Sequence, residues 1–148
     1  MKIPLKYGLA ITFVVVVWVV VVRHLMGAGA DSKANVFAPV LFNVAQIAAI
    51  FLGMVRRKNE VGGELGFKDG LKTGVGISFV YAASACLFFV IEYLIAGPKL
   101  LLAEPGAADR PLWQTAVMAF TGLFFLSLIF GVIYSTLISF FLAKRRNA

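Results

Sequence analysis

Seven residues of this 148-residue chain are acidic, and Glu92 alone stands inside an apolar run. An ionisable group at membrane depth is costly and is a functional candidate by default, as a proton relay or as part of a solute path. Gly97-Pro98 closes the run about 7.5 Å further along a helix that rises 1.5 Å per residue, so the carboxylate head can reach water. An interface-reaching or hydrogen-bonded carboxylate is therefore expected ahead of a relay. Asn43 and Gln46 stand three apart in another apolar run, on neighbouring positions of one helical face. Counted from the outer end of that run, Asn43 has a depth similar to that of Glu92. A Glu92–Asn43 hydrogen bond with Gln46 below it is the expected cluster. Such bonds more often join helices than bind substrates, at about 0.6–2 kcal/mol each. Glu92→Gln separates the roles, because a structural carboxylate tolerates it and a relay loses its pH-linked activity.

The other reactive residue types offer less. His24 is the only histidine and Cys86 the only cysteine, so neither a His/Cys metal site nor an intrachain disulfide can be built. Cys86 reads as a small packing residue. Membrane-embedded catalysis needs paired acids, a Ser/Lys or His set, or metal ligands, and the spacing supplies none of these. The glycines of residues 56–71 follow neither G-x-x-x-x-G-K-[ST] nor a strand-flanked G-x-G-x-x-G. Phe67 and Leu71, alternating with Lys68 and Asp69, suit a short interfacial turn of helix instead. No enzyme activity, cofactor or metal is expected.

These residues must be positioned by membrane helices. The chain is 61% hydrophobic and 14% charged, against about 45–50% and 25% in soluble domains. Its mean hydropathy is +0.92. A soluble fold of this size would expose much of that apolar excess, and a disordered chain would be polar. Four segments reach the roughly 20 residues that span a bilayer core, at about 5–22, 36–55, 72–96 and 113–142. The first contains an unbroken Val/Trp tract at 14–22 that would suggest a strand in water. In lipid the backbone must satisfy its own hydrogen bonds, so helix wins. The predicted fold is an all-α integral membrane protein, a single domain over residues 1–148 whose four transmembrane helices form an antiparallel bundle.

The N-terminus superficially resembles a signal peptide. Residues 1–6 are basic, 7–22 are apolar, and Ala28-Gly29-Ala30 is an A-x-A pattern. The apolar run exceeds the usual region of about 7–15 residues, and Arg23 and His24 interrupt the approach to the site. An uncleaved first span is expected.

Gly62, Gly66, Gly70, Gly74, Ser78, Ala82 and Cys86 recur every four residues. From Gly70 onward they form a ridge that lets another backbone approach, whereas Gly62 and Gly66 belong to the loop, where backbone freedom explains them. Ser127, Gly131, Ser135 and Ser139 repeat the device in the fourth span. Spans three and four are predicted to pack tightly through these ridges. The first span, valine on every side, is expected to be the most lipid-exposed helix or to pack on another subunit.

Lys/Arg asymmetry sets the orientation. Lys2, Lys6, Arg56, Arg57, Lys58, Lys68, Lys72, Lys144, Arg145 and Arg146 fall on one side, against Arg23, Lys33, Lys99 and Arg110 on the other. Ten against four places both termini and the middle loop in the cytoplasm, and Tyr7, Trp18, Tyr93 and Trp113 fall near span ends as an aromatic belt would. The net charge of +7 reads as cytoplasmic flanks facing an anionic leaflet rather than nucleic-acid binding. Arg56, Arg57, Lys58, Lys144, Arg145 and Arg146 are the expected contacts to anionic lipid head groups.

The second span ends in basic residues, a charged stretch leads to Gly66-Phe67-Lys68-Asp69-Gly70-Leu71-Lys72-Thr73-Gly74, and Pro98 lies just beyond the third span. The ensemble resembles, over nearly the whole chain, the uncharacterised bacterial membrane proteins catalogued as domain of unknown function 4199. That resemblance implies a small four-span protein of the bacterial inner membrane and supplies no activity or catalytic residues. Ala96-Gly97 precedes Pro98 where the family pattern has an aromatic or asparagine, a departure at the outer face.

The expected function is that of a non-enzymatic inner-membrane protein that forms a homo-oligomer or serves as an accessory or scaffold subunit of a larger membrane complex. The alternative is a small oligomeric transporter or channel lined by Glu92, Asn43 and Gln46.

Overall fold

The computed structural model describes residues 2–27, 33–97 and 106–143. Within them lie four helices long and apolar enough to cross a membrane, which makes the chain a multi-pass membrane protein. Helix α1 is Lys2–Val19 and continues as a wide π-helical turn, Val20–Leu25. Helix α2 is Lys33–Glu60, α3 is Phe67–Ala96 and α4 is Leu112–Leu142, preceded by a short 3₁₀ turn at Ala107–Asp109. Each is longer than the hydropathy predicts at one end or both. Charged residues end an apolar run but do not end the backbone ladder, so α2 runs through Arg56, Arg57 and Lys58 before stopping. Gly62 and Gly63 make the turn to α3 with φ of 81° and 91°, the left-handed region that only glycine enters freely. Gly66, expected to need the same freedom, has an ordinary φ of −72°.

Helix α3 is the centre of the bundle and packs against all three others. Its small-residue ridge meets that of α4 in antiparallel register. A Cβ added to Gly70 would lie 2.7 Å from Ser139 Oγ, one on Gly74 would lie 2.7 Å from Ser135 Cβ, and one on Gly131 would collide with Ser78. Each step of four along α3 is thus matched by a step of four back along α4. Ala82 is fully buried on α3, and Ser127 is buried on α4. With hydrocarbon outside the bundle as apolar as the core, this close backbone approach is what holds the two helices together.

Helix α1 runs parallel to α3. Thr12 and Ser84 hydroxyls share a hydrogen bond at 2.6 Å, and Gly76 faces Pro4. Ile11, Val15, Val19 and Val22 form a buried stripe on its inner face. The expectation that α1 is the most lipid-exposed span is therefore corrected. Only 11% of the most apolar stretch of α4 is buried in the bundle, against 33% for α1. Uniform valine hid the inner face of α1, and Gly8 supplies the notch: a Cβ there would sit 2.6 Å from Val80 Cβ and 2.9 Å from Ile77 O. Gly8→Leu should push α1 off α3 at a cost of about 2 kcal/mol, the usual scale of core overpacking. Denaturant unfolding in mild detergent measures it, and an unchanged midpoint rejects the α1–α3 seat.

Candidate functional site

Glu92 lies one turn before the end of α3, and its partner is His24. The imidazole Nε2 stands 2.8 Å from Glu92 Oε1. The carboxylate side chain is 10% exposed and the imidazole 49%, so the pair bridges the bundle interior and its end. Nε2–H can donate to the carboxylate whether the ring is neutral or charged. This hydrogen bond ties the end of α1 to α3.

His24 lies within the π turn that continues α1. Thr12 and Ser84 differ by 72 positions, whereas His24 and Glu92 differ by 68. The pairing shifts by four residues along α1, and the π turn, with more residues per turn, contributes about one of them. The Met26 amide, bonded 2.9 Å from Val21 O, closes the wide turn. Single π turns inside helices often mark functional positions.

The expected Glu92–Asn43–Gln46 cluster is not formed. Tyr134 donates to Asn43 Oδ1 at 2.8 Å, and Asn43 Nδ2 donates to Pro39 O at 2.7 Å. Gln46 is 2% exposed and donates to Ser127 O at 3.0 Å and Ser78 Oγ at 3.4 Å, tying α2 to the α3–α4 seam. The depth estimate failed because α2 begins at Lys33. Asn43 then stands ten residues into α2 and Glu92 four from the end of α3, a mismatch of about 9 Å at 1.5 Å per residue.

Beside the His24–Glu92 pair, α1, α2 and α3 line a half-open cavity of about 60 Å³ bounded by Trp18, Val19, Val22, Arg23, Ala38, Phe42 and Phe89. Trp18, expected in an interfacial belt, instead lines this cavity, and its Nε1–H is buried without a partner. At the opposite end of the bundle, Lys58 donates to Leu142 O at 3.4 Å, where a cation suits the carbonyl end of α4. Arg56 and Arg57 lie 3.7 and 3.8 Å from Glu60 on the surface. Lys144, Arg145 and Arg146 lie outside the described residues.

A family model described as "Protein of unknown function (DUF4199)" matches residues 6–102, more than half of the chain. The chain belongs to this family. The match takes in α1 to α3 with His24, Glu92, Trp18 and Arg23, and it stops before α4, short of the near-complete coverage expected. No curated protein and no solved structure matches the chain. The family description carries no activity.

His24 was legible as a partner only in outline. Arg23-His24 just past the first apolar run and Glu92 near the end of the third share one end of an antiparallel bundle. Periodicity carries no sign of the wide turn in which His24 lies.

Proposed function

We propose that this chain is a non-enzymatic protein of the bacterial inner membrane, with both termini cytoplasmic, that assembles with itself or as an accessory or scaffold subunit of a larger membrane complex. One observation supports this most: several polar side chains of the spans are spent on joining helices. Thr12 meets Ser84, Gln46 meets the α3–α4 seam, and Asn43 meets Tyr134. Polar groups used this way rigidify a module rather than line a path, which favours assembly over a transporter or channel. Helix α4 is the least buried of the four spans, and Phe125, Phe130, Phe140 and Phe141 exposed along it offer a face for a neighbour.

The basic residues Lys2, Lys6, Lys68 and Lys72 support the cytoplasmic orientation, with Arg56 and Arg57 available to anionic head groups. Native mass spectrometry and crosslinking of the untagged protein, extracted in mild detergent, test the reading. A defined oligomer or a stoichiometric membrane partner is expected. A strict monomer with no copurifying protein sinks it.

A further inference from the structure

The cavity beside α1 has a composition unlike the rest of the bundle. Valine, alanine and phenylalanine make most of its wall, yet two strong donors, Trp18 and Arg23, also line it. The Trp18 Nε1–H is buried with no acceptor. Arg23 is half-buried with Glu92 in electrostatic range, but no described residue supplies its guanidinium with a hydrogen-bond acceptor. Glu92 itself is engaged by His24. A buried donor is nearly always satisfied in native proteins, so the unpaired Trp18 Nε1–H, with the half-buried Arg23 on the same wall, points to an acceptor supplied from outside the chain.

The backbone explains how they come together. Positions five apart on a straight α-helix point about 140° away from each other at 3.6 residues per turn. Trp18 and Arg23 are five apart, and the π-helical turn at Val20–Leu25 adds residues to that turn and closes much of this angle. Both residues therefore reach one wall. A cavity of about 60 Å³ exceeds the roughly 10–15 Å³ that one water needs by the same measure, so a small group of several heavy atoms fits.

We propose that Trp18 and Arg23 bind an oxyanion of the phosphate class. Arg23 takes two of its oxygens through the planar guanidinium fork and Trp18 donates to a third. Arg23 lies two residues before the end of the π turn, close to where a span meets head groups, and Val22, Phe42 and Phe89 provide an apolar wall for adjoining hydrocarbon. This site is independent of the assembly reading and stands or falls separately. Its ligand is either a lipid phosphodiester or free phosphate, which share the same chemistry.

Trp18 is itself a probe. Trp113, the other tryptophan, is 69% exposed, so Trp113→Phe leaves Trp18 as the sole indole with little structural consequence. Full-length protein in phosphate-free glycosidic detergent is titrated separately with short-chain phosphatidylglycerol and with inorganic phosphate, and indole emission is followed. A saturable change with the lipid alone assigns the site to a head group, and one with inorganic phosphate assigns it to the free anion. Arg23→Gln should weaken the effective ligand at least tenfold and Arg23→Lys several-fold, because the ammonium loses the two-point contact. Glu92→Gln should strengthen binding by removing a nearby negative charge, and it also shows that a variant at this end of the bundle remains folded. No saturable change with either ligand, or a change of equal affinity in Arg23→Gln, overturns the proposal.

Discussion

Gly131→Val should unseat α4 from the bundle. A Cβ at this position already collides with Ser78 and lies 2.9 Å from Gln46 Nε2, before the two branch methyls are added. Ser78 cannot yield, because its Cβ is fixed to α3 and it is fully buried while bonding Gly74 O at 3.0 Å. Relief has to come from moving the whole helix. That motion also breaks the Gln46–Ser127 bond, which holds α2 to α4. Overpacking of about 1–3 kcal/mol and a membrane hydrogen bond of about 0.6–2 kcal/mol then act together, for a loss of about 3 kcal/mol. Gly122→Val on the same helix is the control, since nothing lies within 4 Å of its Cβ and the loss of helix propensity is shared. Unfolding of both variants in mild detergent should separate them clearly. Equal midpoints would show that the ridges do not form the seam.

The ridge was readable because its signal is local. Gly70, Gly74 and Ser78 repeat at the helical period, Gly131 and Ser135 do the same, and two such stripes on consecutive spans have one obvious way to meet. The four helices were readable for a related reason, since lipid leaves an apolar segment no alternative to helix. What failed was anything set by shape or by depth. The inner face of α1 is fixed by a notch at Gly8 against Val80, and hydropathy is blind to notches when valine surrounds the helix. Helix α2 begins at Lys33, three residues before the sequence places it, which carries Asn43 further from the level of Glu92. The contact of Glu92 with His24 is made from a π-helical turn that follows a run of valines, and no residue there announces it. Site geometry in this chain is a matter of register between parallel helices, which residue types constrain only weakly.

His24→Leu should destabilise the bundle more than Glu92→Gln does. The two partners are unequally placed, with the carboxylate 10% exposed and the imidazole 49%. Loss of the ring leaves a charged, largely buried oxygen pair with Arg23 as the nearest compensating group, whereas the Gln variant keeps size and an acceptor for Nε2–H while giving up the charge. A cost of about 1–2 kcal/mol is expected for His24→Leu and less than about 1 kcal/mol for Glu92→Gln, the range measured for hydrogen bonds between membrane helices. The combination His24→Leu with Glu92→Leu should recover most of the loss, because replacing both members of a buried pair by apolar groups removes the stranded charge as well as the bond. With the single Glu92→Leu added to close the cycle, the coupling is isolated and expected at about 1 kcal/mol and favourable. Unfolding in mild detergent supplies all four values. If His24→Leu is as stable as the parent and the coupling is zero, α1 and α3 are not fastened at this end, and the wide turn of α1 loses its structural reason.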